Sequence, residues 1–277
     1  MKIMDEYWDI IERALVEDCY DEDITTNANV PSSYRAKGVI YAKEDGIIAG
    51  LDVAKAVFSY KASDINFKYL ARDGDRVQKH QGIAEINGNA RVILTRERVA
   101  LNFLQHLSGI ATTVAKYVRA AGNTKILDTR KTTPGLRRLE KYAVRVGGGH
   151  NHRMNLKEMI LIKDNHIEIV GSIKKAVSLA RKVSDIEIEV ETKTLKEVRE
   201  AVEAKPNRIM LDNMPVEMME EAMKIIKNEI EVEASGSMTL ERIPEVAKLK
   251  VDYISVGALT HSTKALDMSL EILEIYK

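Results

Sequence analysis

Residues 125–167 read KILDTRKTTPGLRRLEKYAVRVGGGHNHRMNLKEMILIKDNHI, and this stretch decides the fold. It opens on an apolar run that breaks into Asp128, Thr129, Arg130 and Lys131. It closes on another, 159–162, that breaks into Lys163, Asp164, Asn165 and His166. Between them lie a helical segment, three consecutive glycines and His152-Arg153. Short, continuous apolar runs that stop at polar residues are the mark of strands buried on both faces. Two such strands therefore end in cations, and Arg153 adds a third cationic position from the glycine-rich loop. In an α/β chain, cations gathered at strand ends point to a pocket for an anionic small molecule. Taken singly, each could be a solvated strand end with an ion pair; several in sequence favour a site.

Downstream the theme repeats. Apolar runs begin near Lys125, Met159, Ile186, Arg208, Ile230 and Val251, alternating with helical segments such as 173–183, 195–204 and 216–227. Strand–helix alternation with short links implies parallel strands and right-handed crossovers. Six strands favour an incomplete (β/α) barrel over an open doubly wound sheet, and no GxGxxG follows the first strand. The later strands end in Glu189 and Glu191, in Asp212 and Asn213, in Glu233, Ser235, Gly236 and Ser237, and in Gly257 with His261 soon after. In a barrel these ends converge on one face. Glu187 and Glu189 fall on alternate positions, which an ion pair within the barrel wall would explain.

Upstream, residues 3–18 place Ile3, Tyr7, Ile10, Ile11, Ala14 and Leu15 at helical spacing. The acidic run Asp21-Glu22-Asp23 matches no Ca²⁺ loop and reads as a solvated turn. Residues 36–109 have a β texture around a helix at 51–60. The 94–121 pattern is helical, interrupted at Ser108-Gly109, and carries Arg98 and a core or cap histidine, His106. The expected division is an N-terminal α/β sandwich, 1–109, followed by the barrel, 110–277. A helix over 264–277 is expected to fold back on the first domain.

Lys+Arg and Asp+Glu both number 42 and the pI is about 7, so no global field favours nucleic acid or an acidic membrane. Anion recognition must be local. The single cysteine, Cys19, excludes an intramolecular disulfide and any cysteine cluster for zinc. No signal-peptide core or membrane-length apolar run is present, which makes a cytoplasmic protein the expectation.

Sorted by sign, the strand ends give a cationic sector (Arg130, Lys131, Arg153, Lys163, with His152) and an acidic one (Glu191, Asp212). Ser235–Ser237 and Val256–Ala258 are small residues whose backbone can approach a phosphate closely. Guanidiniums suit carboxylates, lysine suits a point-charge partner, and two acids beside phosphates imply Mg²⁺. The substrates implied are one molecule rich in carboxylate and one phosphorylated molecule carried with Mg²⁺.

The stretch DTRKTTPGLRRLEKYAVRVGGGHNHRMNL…LIKDNHI resembles the quinolinate phosphoribosyltransferases, as do EVET, LDNM, EASGSMTLE and VDYISVGALTHS in order and spacing. The N-terminal ERVALNFLQHLSGIAT and EDCYDEDITT are similar too, so the likeness covers nearly the whole chain. Ser237 departs from it, where many relatives carry a second glycine, and so does His150. The resemblance implies the type II phosphoribosyltransferase fold. It also implies condensation of quinolinate with phosphoribosyl pyrophosphate, with Mg²⁺, to nicotinate mononucleotide, CO₂ and pyrophosphate. It implies a homodimer with a shared site, or a hexamer of such dimers, and neither nucleic acid nor membrane as a partner. Arg98 from the partner chain, Thr129, Arg130, Lys131, His152, Arg153 and Lys163 would surround quinolinate. Lys131, Lys163, Glu191, Asp212, Ser235, Gly236, Ser237, Val256, Gly257, Ala258 and His261 would face the donor. Glu191 and Asp212 would hold the metal, through water or directly. Catalysis would rest on Lys131, Lys163, Glu191 and Asp212.

Rival readings remain. A non-decarboxylating nicotinate phosphoribosyltransferase clamps one carboxylate and needs fewer cations. A Schiff-base barrel aldolase would use Lys131 or Lys163 as the nucleophile. A zinc site on His150 and His152 lacks a third ligand at a persuasive spacing, and a non-catalytic phosphate-binding barrel leaves the acidic pair unexplained.

Overall fold

A computed structural model describes residues 7–227 and 229–277. Ile3, expected in the first helix, lies outside them. Helix Trp8–Glu17 buries Ile10, Ile11 and Leu15, the predicted stripe. In the acidic run that follows, Asp23 caps helix Ile24–Asn29, accepting the Thr26 N–H at 2.9 Å.

Twelve strands occur among the described residues. The first five are β1 (Arg35–Ala42), β2 (Gly46–Ile47), β3 (Asn66–Tyr69), β4 (Arg76–Val77) and β5 (Gly82–Asn89). Next come β6 (Lys125–Leu127), β7 (Ile160–Ile162), β8 (Ile188–Thr192), β9 (Arg208–Asp212), β10 (Glu231–Ser235) and β11 (Tyr253–Ser255). The last is β12 (Met268–Tyr276). They divide between two compact units. One holds the described residues up to Thr113, with Thr133–Gly147 and Ser262–Lys277; the other holds Val114–Thr132 and Gly148–His261. The chain passes between these compact units several times, beyond the expected boundary near 109.

The first unit is built on an antiparallel sheet in the order β12-β1-β5-β3, with β2 and β4 forming a short ribbon. The C-terminal segment expected as a helix is strand β12. Met268, Leu270 and Ile272 pair with Ala42, Ile40 and Gly38 of β1, so the period of two prevails where sequence alone allowed either period. A Cβ at Gly38 would sit 3.1 Å from Leu270 Cδ2, so the glycine makes room for the new strand. The helix expected to break at Ser108-Gly109 runs without interruption over Ala90–Ala121. Its glycine marks a close approach instead, since a Cβ there would lie 2.3 Å from the Lys264 backbone oxygen. His106 is satisfied, as expected, by Glu140 Oε1 at 2.9 Å.

The second unit contains the six expected strands, all parallel, in the order β6-β11-β10-β9-β8-β7. β6 and β7 are its edges, so the barrel is open between its first two strands. The glycine-rich loop covers the edge of β6, where His150 donates its N–H to Ile126 O at 2.8 Å and accepts from Asp128 N at 3.1 Å. An exposed strand edge would otherwise invite pairing with another chain. No helix among the described residues is long and apolar enough to cross a membrane.

Candidate active site

Parallel strands joined by helices bring all their C-terminal ends to one face. In the second unit those ends enclose a cavity of about 540 Å³, a size suited to a small ligand. The turn after β6 contributes Thr129, Arg130 and Lys131, and the glycine-rich loop contributes His152 and Arg153. Lys163 follows β7, Glu191 lies in β8, and Asp212 and Asn213 close β9. Glu233, Ser235, Gly236 and Ser237 come from β10 and its turn.

Five expected residues do not line it. Val256, Gly257, Ala258 and His261 are not among its lining residues, although Gly257 and Ala258 are half-buried and His261 is exposed; a Cβ at Gly257 would lie 3.0 Å from Lys131 Cδ and 3.2 Å from His261 Nε2. Thr260 Oγ1, buried in the same turn, donates to Lys131 O at 2.7 Å. The turn after β11 therefore packs against Lys131. Arg98 is exposed on the first unit's part of helix Ala90–Ala121.

The cations are held ready for an anion. Arg153 Nη1 donates to Met159 O at 2.9 Å, which fixes the guanidinium against the wall. Burial and the neighbouring Arg130 push its pKa down, so a bound carboxylate would relieve a repulsion already present. Lys163 Nζ donates to Glu191 Oε2 at 2.7 Å. That amine is engaged in an ion pair rather than offered as a Schiff-base nucleophile.

Asp128, read from the sequence only as a polar strand end, has a structural role that the sequence did not assign. Fully buried at the end of β6, it accepts from His152 N at 2.9 Å and Asn151 Nδ2 at 2.5 Å, and so fixes the loop that carries His152 and Arg153. His152, expected among the groups around the substrate, lines the cavity and has both ring nitrogens engaged within the protein. Its Nδ1 accepts the Arg153 N–H at 2.8 Å, so the ring proton sits on Nε2. Nε2 faces Glu189 Oε2 at 3.1 Å and Glu233 Oε2 at 3.5 Å. Arg208 Nη1 approaches the same Glu233 oxygen at 3.3 Å. Of the two acids expected to pair within the wall, Glu189 does so, while Glu187 is exposed and lies just before β8.

His152, Glu189 and Glu233 are close enough to share a metal ion. Arg208 and Arg153 already supply positive charge there, so a shared proton is the better-balanced occupant. Burial pushes both carboxyls up, to about 7, and for Glu233 the neighbouring Glu189 adds to the rise. The folded chain thus binds more protons than the unfolded one. The stability this pair contributes is fully present below about pH 4.5 and is lost as the pH rises through about 7. Glu233→Gln should therefore gain on the parent protein between pH 5 and 8 by roughly 1–3 kcal/mol. Thermal unfolding across that range checks this, and a constant difference would exclude the shared-proton account.

The β9 and β10 turns interlock. Asn213 and Ser237 adopt φ of +53 and +48, and Gly236 one of +89. A Cβ at Gly236 would meet Asn213 Oδ1 at 2.3 Å, so only glycine lets the two turns close. Ser237 keeps the left-handed conformation without being glycine. Its hydroxyl lies 3.5 Å from Asn213 Oδ1.

Residues 23–108 and 110–271 match the N-terminal and C-terminal domain models of quinolinate phosphoribosyl transferase. The chain is 46% identical to the probable nicotinate-nucleotide pyrophosphorylase [carboxylating] of Methanocaldococcus jannaschii, covering 95% of this chain and 96% of that one. Against the chloroplastic enzyme of that name from Arabidopsis thaliana it is 43% identical, covering 95% of this chain and 82% of the relative. The crystal structure of NadC from Streptococcus pyogenes superposes with a TM-score of 0.93 at 46% identity, covering 97% and 98%. Human nicotinic acid phosphoribosyltransferase shares the fold alone, at 10% identity and a TM-score of 0.65.

Proposed function

Because the chain belongs to the quinolinate phosphoribosyltransferase family, we propose that this cavity joins quinolinate to the phosphoribosyl group of phosphoribosyl pyrophosphate, releasing pyrophosphate and CO₂ and leaving nicotinate mononucleotide. One observation carries the reading: Arg130, Lys131, Arg153 and Lys163 share a cavity with Glu191 and Asp212. Four cations exceed what a single carboxylate needs, which sets the diacid above nicotinate as the acceptor. The aldolase and zinc readings lose their support: the relatives are phosphoribosyltransferases, Lys163 is paired with Glu191, and His150 is exposed and not among the His152, Glu189 and Glu233 group.

Arg130 and Arg153 suit the two ring carboxylates of quinolinate, each a planar fork matching a planar acid. So oriented, the ring nitrogen can displace pyrophosphate from the anomeric carbon, and holding that geometry supplies much of the rate. Glu191 and Asp212 favour the electron-poor ribose that develops as the leaving group departs. Their all-oxygen donor set fits Mg²⁺, which when bound there would offset the charge on pyrophosphate. Ser235–Ser237 would cradle the phosphates with backbone N–H groups. Once alkylated, the ring nitrogen is cationic; the adjacent C–CO₂ bond breaks, its electron pair remains beside N⁺ on carbon, and a proton takes the place of CO₂. No covalent bond to the enzyme is required.

The direct test supplies quinolinate and the donor with and without Mg²⁺ and follows pyrophosphate, CO₂ and the mononucleotide. All three should appear in equal amounts, and only with the metal. Product from nicotinate at a comparable rate would replace this reading with the non-decarboxylating one.

The proposed setting is the cytoplasm and the proposed assembly a homodimer in which Arg98 of each protomer completes the other's cavity. Mixing inactive Arg98→Ala and Arg153→Ala proteins should then restore about a quarter of the parent activity, since half the dimers are mixed and each carries one intact site. No recovery on mixing would make each protomer self-sufficient.

A further inference from the structure

Arg242 lies outside the cavity wall, yet it is bonded to both of the turns that close it. Its Nη2 donates to Met214 O at 2.6 Å and its Nη1 to Gly236 O at 3.2 Å. It stands at the start of helix Ile243–Lys248, which is anchored through buried Ile243 and Val246. In a trans peptide the C=O and the following N–H point in opposite directions. Holding the Gly236 carbonyl outward on Arg242 therefore turns the Ser237 N–H the other way, to the side where Gly236 and Ser237 line the cavity. That N–H has no acceptor among the described residues. Holding Met214 O fixes the turn that begins at Asp212, where Asn213 sits at φ +53 and donates its backbone N–H to Ser235 O at 2.9 Å.

We propose that Arg242 is a positioning residue for the phosphate end of the ribosyl donor: one guanidinium clamps the acid-bearing turn to the small-residue turn and presents the Ser237 N–H to a phosphate oxygen. This rests on the reading of the cavity given above. The planar fork matters, because two carbonyls on separate turns must be met at once. Ser237 makes the clamp more necessary than glycine would, since a left-handed serine is held only by its surroundings.

The test compares the parent protein with Arg242→Met and Arg242→Lys. Inorganic pyrophosphate binding is measured by calorimetry, and KM is measured for each substrate in turn. Arg242→Met should weaken pyrophosphate binding and raise the donor KM by about tenfold, the scale of one charge-assisted hydrogen bond, and leave the quinolinate KM within about twofold. Arg242→Lys, able to satisfy one carbonyl, should fall between and stands in if the methionine variant does not fold. Equal rises in both KM values, or an unchanged donor KM, would overturn the clamp, as would failure of the parent protein to bind pyrophosphate. A parent protein that binds pyrophosphate but makes no mononucleotide would sink the transferase reading, and the variant series on pyrophosphate would still decide the role of Arg242.

Discussion

Arg153→Ala should lower kcat/KM for quinolinate by roughly 30- to 5,000-fold, the 2–5 kcal/mol expected when one member of a desolvated charge pair is removed. The guanidinium is half-buried and fixed by Met159 O, so it meets the substrate without first having to be ordered. Burial and its neighbour Arg130 depress its pKa, and an incoming carboxylate is what offsets that repulsion. Without Arg153 a quinolinate carboxylate enters the pocket unpaired, at the cost of its own desolvation. The fold should lose only the Met159 hydrogen bond, about 0.5–1.5 kcal/mol. Thermal unfolding beside steady-state kinetics separates the two effects. A variant that unfolds near the parent temperature and turns over quinolinate normally would remove Arg153 from the site.

Glu191→Gln should have an effect of similar size and a different signature. Glu191 is buried in β8, and its Oε2 accepts from Lys163 at 2.7 Å. The amide keeps the shape and removes the charge. Stabilisation of the electron-poor ribose is lost, for a drop in kcat of roughly 10²–10³-fold, the scale seen when a preorganised electrostatic group is deleted. The Mg²⁺ concentration needed for half-maximal rate should rise as well, because a ligand or water-orienting oxygen has lost its charge. The initial rate as a function of Mg²⁺ at saturating substrate reads both. A lowered kcat with an unaltered Mg²⁺ dependence would keep Glu191 as an electrostatic residue and deny it a part in holding the metal.

Residues 125–167 show how the two sources of information divide. Their apolar runs define β6 and β7, and the residues after each run supply Arg130, Lys131 and Lys163, all of which reach the cavity. Yet within the same stretch Thr133–Gly147 belongs to the other compact unit, which no local pattern announces. His152 carries the same lesson. Its position in the loop was evident, but its two nitrogens were committed by Arg153 beside it and by Glu189, 37 residues away.

Sequence by itself determined most element types, the six parallel strands, the sign of each strand end and the family. Buried strands and amphipathic helices impose their own short periods, and a strand's C-terminal end is fixed by its direction. Tertiary structure alone decided that 268–276 pairs with β1 as a strand, that Glu189 and Glu233 meet around one histidine, and that Arg242 bridges Met214 and Gly236. The first two depend on register between strands far apart in the chain, where a shift of one residue would turn the side chains concerned to the opposite face; the third depends on two turns being brought together in space.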